Sequence, residues 1–169
     1  MRRWWIYIIL YVFVGAFGWS PFVGTDIAKL VPVEVVWLER TDGRVCIETD
    51  CGDIGIGKTL SEALGDLHQT AAGTVFLDTA EYVIVKRGSQ ELLLQISEVL
   101  RPSCSVCVAD SMPDLVKAAG YLGVHEPTAK MKDVNRSELP YLIERDGRLL
   151  LVENENADRT ADSVADRRN

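Results

Sequence analysis

The chain has 169 residues and a formal net charge of −7, and hydrophobic residues make up 47% of it. Without Arg2 and Arg3, 16 basic groups face 25 acidic groups, which gives a net charge of −9. This acidic excess argues against binding to nucleic acid and to anionic lipid head groups. The length leaves room for one domain with a sizeable core after the amino-terminal segment.

The amino-terminal segment is the strongest indication of where the protein works. From Trp4 to Val23 the chain carries no charge, and as a helix these 20 residues would span roughly 30 Å, the thickness of a bilayer's hydrocarbon core. Arg2 and Arg3 precede the run, which favours a cytoplasmic amino terminus and an extracytoplasmic domain. Rings typical of the headgroup level lie at both ends of the run: Trp4, Trp5 and Trp19. The pattern predicts an uncleaved signal anchor over residues 1–24.

Two other interpretations of this segment stay open. Ala16-Phe17-Gly18 has the small-x-small pattern of a cleavage site, so the segment could be a removable signal peptide. A buried core helix is the third interpretation, although a core helix of this length normally has a polar face. The membrane anchor is the prediction that we carry forward, with a location in the cell membrane.

The remaining chain alternates between strand and helix periodicity. It predicts an α+β or mixed α/β domain over residues 25–152, with a sheet of about five to six strands and about three helices packed on it. Asp42-Gly43 and Asp146-Gly147 are hairpin turn signals, residues 50–58 are predicted as a glycine-rich loop, and residues 153–169 as a disordered polar tail. Strands are predicted at 33–40, 44–49, 74–77, 82–86, 104–109, 141–145 and 148–152, and helices at 59–69, 89–100 and 113–122. Residues 126–136 receive no assignment.

The segment from Gly52 to Thr59 matches the phosphate-binding pattern G-x-x-x-x-G-K-[ST] in full. In a phosphate-binding loop, backbone N–H groups of a segment such as Gly52 to Gly57 hold the phosphates, while Lys58 meets the β- and γ-phosphates and Thr59 holds Mg²⁺. A nucleotide-binding protein is therefore one alternative function. However, the predicted topology places this loop outside the cytoplasm, where nucleoside triphosphates are scarce.

The same residues have a structural interpretation that needs no phosphate. Thr59 and Glu62 form T-x-x-E, the capping box that satisfies N–H groups at the start of a helix. Gly52 and Gly57 then allow the chain to turn into that helix. We expect the capped helix start, and no cofactor.

The four cysteines offer a second chemical alternative. Cys104 and Cys107 have the C-x-x-C spacing of thiol-redox proteins. Because they fall in a predicted strand, residues three apart point to opposite faces, and we expect buried thiols. A bridge between Cys46 and Cys104 would be possible if their strands were neighbours, and Cys51 adds a further thiol. His68 and His125 have no second ligand at metal-binding spacing, so no metal site is predicted.

A series of short motifs runs through the domain. In chain order they are Gly57-x-Thr59-x-x-Glu62-Ala63-Leu64, Val75-Phe76-Leu77, Tyr82-Val83-Ile84-Val85, Arg101, Val106 to Ala109 and Leu139-Pro140-Tyr141-Leu142. This series resembles the amino-terminal domain of the C subunits of bacterial spore germinant receptors, and the resemblance covers roughly residues 26–152. The chain lacks the lipid-bearing cysteine of that family, and the family's large carboxy-terminal domains are not present in it.

The resemblance implies a protein without catalytic residues that acts in spore germination or in a spore membrane complex. It would work on the outer face of the cytoplasmic membrane of a spore-forming bacterium, through contacts with other membrane proteins. The sequence therefore leads to a first hypothesis of a membrane-anchored interaction domain. The nucleotide-binding protein and the thiol-redox protein remain the alternatives.

Overall fold

The computed structural model describes Trp4, Tyr7 and residues 30–135 and 138–153. Within these residues no helix has both the length and the apolar character that a membrane crossing requires. Trp4 and Tyr7 are helical and exposed. The other residues of the predicted anchor at 1–24, and the predicted tail from residue 154 onward, lie outside the described residues.

The described chain forms nine strands and three α-helices, with short 3₁₀ turns at Leu77–Thr79 and Met131–Asp133. In chain order the elements are β1 Leu30–Pro32, β2 Val35–Thr41, β3 Arg44–Thr49, β4 Ile54–Gly57, α1 Leu60–Thr70, β5 Thr74–Phe76, β6 Tyr82–Lys86, α2 Glu91–Ile96, β7 Ser105–Ala109, α3 Leu115–Leu122, β8 Tyr141–Arg145 and β9 Arg148–Val152.

The main sheet is mixed and has the strand order β4-β3-β2-β6-β7-β8-β9. Strands β2, β6, β7 and β8 are parallel neighbours, and hairpins add antiparallel strands at both sides. The α+β class, the mixed sheet and the three helices are confirmed. The predicted strand number was too low, because residues 54–57, predicted as loop, pair with β3 as β4. The predicted strand at β5 lies instead in a separate parallel pair with β1.

Both faces of the sheet are covered by helices. Alternate residues of β2 point to opposite faces, with Val36 and Leu38 toward α1 and α2, and Val35 and Trp37 toward α3. Strands that are buried on both faces have near-continuous apolar sequences, which is why β6 reads Tyr-Val-Ile-Val. The side of the sheet that packs against α1 and α2 is called the α1–α2 face below, and the side that packs against α3 is called the α3 face.

Side chains from the helices also bond the backbone of the two outer strands. Asp66 of α1 accepts the N–H of Ile56 at 2.9 Å, and the hydroxyl of Thr70 donates to the carbonyl of Ile54 at 3.1 Å. At the opposite side of the sheet, the Tyr121 hydroxyl of α3 accepts the N–H of Leu151 at 2.9 Å. The helices are therefore fixed to the rims of the sheet as well as to its faces.

The parallel strands give the sheet an amino end and a carboxyl end. Val35, Tyr82 and Ser105 are register partners on neighbouring strands, so the starts of β2, β6 and β7 are aligned at the amino end. At the carboxyl end, the chain after β6 leads to α2 on one face, and the chain after β7 leads to α3 on the other. Such a divergence is the place where open α/β sheets commonly bind ligands.

Candidate functional site

The segment that matches a phosphate-binding loop is an edge strand followed by a capped helix. Gly55 and Gly57 face α1, and a Cβ at these positions would lie only 2.2 Å from the Ala63 carbonyl oxygen and 2.4 Å from the Ala63 nitrogen. Gly52 has a φ of +85° in the turn that leads into this strand. The glycines therefore serve the turn and the close approach of strand to helix.

Two backbone N–H groups at the start of α1 are already bonded to side chains of the protein. The Thr59 hydroxyl accepts the N–H of Glu62 at 3.2 Å, and the Glu62 carboxylate accepts the N–H of Lys58 at 2.8 Å. These two bonds form the predicted capping box, with the second bond one residue earlier than in its usual form. The negatively charged carboxylate of Glu62 thus takes the Lys58 N–H, which is one of the groups that would face a phosphate in a phosphate-binding loop. The geometry gives Gly52, Gly57, Lys58 and Thr59 a structural role.

The C-x-x-C thiols point to opposite faces of the sheet, as predicted. Cys104 belongs to the core of the α1–α2 face and Cys107 to the core of the α3 face. Burial raises the pKa of the Cys104 thiol to about 12, and burial also raises the pKa of the Cys107 thiol. Because the thiolate is the reactive form, both groups are poor nucleophiles in the folded protein.

All four cysteines are free thiols. Cys46 on β3 and Cys104 before β7 are separated by β2 and β6, a distance of about three strand spacings, or roughly 14 Å. A disulfide needs Cα atoms closer than about 7 Å, so the bridge considered from the sequence is excluded. Cys51 is exposed in the turn before β4, and its thiol donates to the Pro32 carbonyl at 3.3 Å.

Charged groups at the carboxyl end of the parallel strands bond one another. Lys86 at the end of β6 lies 3.4 Å from Glu39 of β2. Arg87 lies 2.9 Å from Asp110, and its guanidinium also stacks on the Tyr141 ring at 4.6 Å from the centroid. This ion pair bridges the loops after β6 and β7. Side chains of the protein itself therefore take up part of the crevice where many open sheets bind a ligand, and a cavity of about 110 Å³ remains beside Asp110.

A polar pocket opens at the amino end of β6 and β7. It has a volume of about 360 Å³, within the range of small-molecule sites. The residues that line this amino-end pocket are Glu81, Tyr82, Arg101, Ser103, Ser105, Glu126, Lys130 and Lys132. They come from the starts of two strands and from the segment between α3 and β8. Sequence analysis assigned no structure to most of that segment.

Ser105, Glu126 and Lys130 form a hydrogen-bonded group in the amino-end pocket. Ser105 is only 2% exposed, and its hydroxyl oxygen accepts a hydrogen bond from the Lys130 ammonium at 2.8 Å. Glu126 forms an ion pair with the same ammonium and lies 3.4 Å from the Ser105 hydroxyl. The hydrogen bond from Lys130 holds the pKa of Glu126 below its ordinary value. This pairing requires the ammonium form of Lys130, whereas a lysine that activates a serine must be neutral.

Arg101 connects the amino-end pocket to the preceding strand. One of its terminal nitrogens donates to the carbonyls of Thr79 and Ala80, at 3.0 and 3.3 Å. Its Nε is buried and has no hydrogen-bond partner in the part of the chain that the structure describes. A buried donor without an acceptor is uncommon in proteins and requires an explanation.

The amino-end pocket has no clear signal in the sequence. Glu126 and Lys130 are four residues apart, a spacing that could have suggested an ion pair, but they lie in a non-helical segment where the spacing carries no such meaning. Ser105 was visible only as a position inside the C-x-x-C pattern. Comparison of the chain with family models, with curated proteins and with solved structures gives no match. The site must therefore be interpreted from its geometry.

Proposed function

We propose that the chain is a non-enzymatic binding domain held at the outer face of the cytoplasmic membrane by its apolar amino-terminal segment. The proposal depends on a contrast between two sets of side chains: those whose contacts stabilise the fold, and polar ones that line a pocket without such contacts. Thr59, Glu62, Cys104 and Cys107 serve the fold, whereas the amino-end pocket presents polar groups that the fold does not use. Such a pocket suits recognition of a ligand or of a partner's side chains.

The spore resemblance gives this proposal its biological setting. As in the family that it resembles, the domain would act by contacts in a membrane complex during spore germination. Spores that lack the protein should then germinate more slowly with at least one nutrient, as measured by the loss of optical density. Wild-type germination rates with every nutrient tested would contradict this role.

The native thiols provide a direct test of the proposed location. Cys51 is exposed, while Cys104 and Cys107 are buried. In intact cells of a bacterium with a single membrane, a membrane-impermeant maleimide should label the full chain, and Cys51→Ser should remove most of the labelling. Lysed cells serve as the control and should show the same extent of labelling. Labelling of Cys51 only after lysis would place the domain inside and refute the proposal.

A further inference from the structure

We infer that the amino-end pocket binds a small zwitterion that carries a phosphate or carboxylate group and a primary ammonium group. The lipid head group ethanolamine phosphate has this chemistry, and so do free solutes of the same class. The inference rests on the proposed function in one respect only, which is that the zwitterion belongs to a membrane lipid and is not a free solute. The pocket itself supplies the argument for the chemistry.

Free groups of both signs line the pocket. Within the described residues, the side chains of Glu81, Ser103 and Lys132 make no hydrogen bond or ion pair, although all three residues line the cavity. The ammonium of Lys132 and the hydroxyl of Ser103 can hold an oxyanion, and the carboxylate of Glu81 can hold an ammonium. A ligand with a single charge would leave one of the two free charges without a partner.

Two residues that already make hydrogen bonds within the protein, Lys130 and Arg101, add further donors for the oxyanion of the ligand. The Lys130 ammonium has three N–H bonds, and Ser105 and Glu126 take two of them. The buried Nε of Arg101 is one more donor without an acceptor. The pocket also contains the carboxylates of Glu81 and Glu126, so it has three basic and two acidic side chains in all. The excess of basic groups suits the oxyanion, and the unpaired carboxylate of Glu81 favours a zwitterion over a simple anion.

The position of the pocket favours a lipid as the source. Tyr82 and Ser105 line the pocket and are register partners, and Tyr82 is also the register partner of Val35 at the start of β2. The chain enters the domain at this same end, and only residues 24–29 separate the apolar segment from β1. Six residues reach at most about 20 Å. If residues 4–23 span the membrane, the amino end of the sheet therefore lies near the lipid head groups.

The first experiment measures the chemistry with soluble probes. Phosphoethanolamine, inorganic phosphate and ethanolamine are titrated by calorimetry into the full chain in detergent micelles. We expect saturable binding of phosphoethanolamine at least fivefold tighter than that of either single-charge probe. Glu81→Gln should weaken phosphoethanolamine binding at least fivefold without weakening phosphate binding, and Lys132→Gln should weaken both.

Control variants make this result specific to the pocket. Glu98→Gln and Lys58→Gln change exposed residues outside the pocket and should leave all affinities unchanged. Circular dichroism should show the same melting curve for all four variants, since each changes an exposed side chain. If phosphoethanolamine fails to bind, or if Glu81→Gln and Lys132→Gln leave its affinity unchanged, the inference is wrong.

The second experiment separates the lipid from a free solute. The Ser103→Cys variant, in a Cys51→Ser background, is placed in nanodiscs of phosphatidylcholine with or without phosphatidylethanolamine. Slower maleimide labelling of residue 103 in the presence of phosphatidylethanolamine, by at least threefold, supports the lipid. Equal rates together with tight binding of soluble phosphoethanolamine identify a free zwitterion and refute the lipid source. The proposed location is judged separately by labelling of Cys51, so its failure and the failure of the pocket are distinguishable.

Discussion

At the carboxyl end of the parallel strands, Lys86 pairs with Glu39 and Arg87 pairs with Asp110. At the amino end, Glu81 and Lys132 line a pocket and have no such partner among the described residues. In most open sheets with parallel strands the carboxyl end binds the ligand, because the connecting loops diverge there. Here the loops also diverge at that end, but an ion pair joins them, and the cavity beside Asp110 has only about 110 Å³ against about 360 Å³ at the amino end. Topology alone therefore did not reveal the candidate site.

The largest expected effect concerns the reactivity of the thiols. A reactive Cys104 thiol at the amino end would undermine the comparison between the two ends of the sheet. At pH 8, Cys104 and Cys107 should react with a maleimide at least about a thousandfold more slowly than exposed Cys51, because burial raises the pKa of both thiols and excludes the reagent. Mass spectrometry of peptides after timed labelling measures the three rates. Unfolding in guanidinium chloride is the control and should make the rates similar. Rapid labelling of Cys104 in the folded protein would revive the thiol-redox alternative.

The next largest effect is the difference in stability between variants of two arginines, one at each end of the sheet. Arg101→Met removes hydrogen bonds to two backbone carbonyls and should lower the free energy of unfolding by about 2 to 3 kcal/mol. Arg87→Met removes an exposed ion pair and a stacking contact and should cost about 1 kcal/mol. Urea unfolding of both variants gives the difference. Equal losses would show that Arg101 contributes no more to stability than a surface group.

A matched pair of buried serines gives a smaller difference. Ser89 and Ser105 are each 2% exposed, at the carboxyl and the amino end respectively. Ser89 accepts the backbone N–H of Arg40 at 3.0 Å, and Ser89→Ala should cost about 1 to 2 kcal/mol because that N–H loses its partner. Ser105→Ala should cost about 0.5 to 1 kcal/mol, since Lys130 keeps Glu126 and can recruit water. Urea midpoints in the reverse order would contradict the expectation that the polar groups of the amino-end pocket tolerate the loss of the Ser105 hydroxyl.

The smallest expected effect is the dependence of stability on acid. Hydrogen bonding by Lys130 lowers the pKa of Glu126 at the amino end, and the backbone N–H of Lys117 lowers the pKa of Asp114 near the carboxyl end. A lowered pKa in the folded state stabilises the protein above the ordinary pKa, and this stabilisation is lost as the pH falls through the folded value. Below about pH 4.5 both contributions should fade. Glu126→Gln and Asp114→Asn should each flatten the acid limb of a plot of unfolding midpoint against pH, and an unchanged limb would contradict the corresponding contact.

Local signals in the sequence predicted much of the sheet. Asp42-Gly43 and Asp146-Gly147 adopt positive φ angles in the two hairpin turns, as their residue types indicate. Periodicity also predicts one apolar face of α1 with Leu60, Ala63, Leu64 and Leu67, of which Leu64 is partly buried and the other three are buried. These features depend on residues that are close in the chain, which is why a single sequence was sufficient.

Strand β4 and the amino-end pocket depend on contacts between distant residues. Two of the four residues of β4 are glycines, which weaken strand propensity, and the strand exists because β3 pairs with it and α1 packs on it. The pocket joins Glu81, Arg101 and Lys132, three positions with no common periodicity. Its polarity became visible only when the register of β6 and β7 brought those positions to one end of the sheet.

The bonds from the helices to the outer strands have a consequence for self-association. A free strand edge invites pairing with another copy of the chain. The backbone groups that Asp66, Thr70 and Tyr121 occupy are no longer open to a neighbouring strand. Residues that would otherwise look like ordinary helix side chains thus protect the sheet edges, since each takes a backbone group that a foreign strand would need.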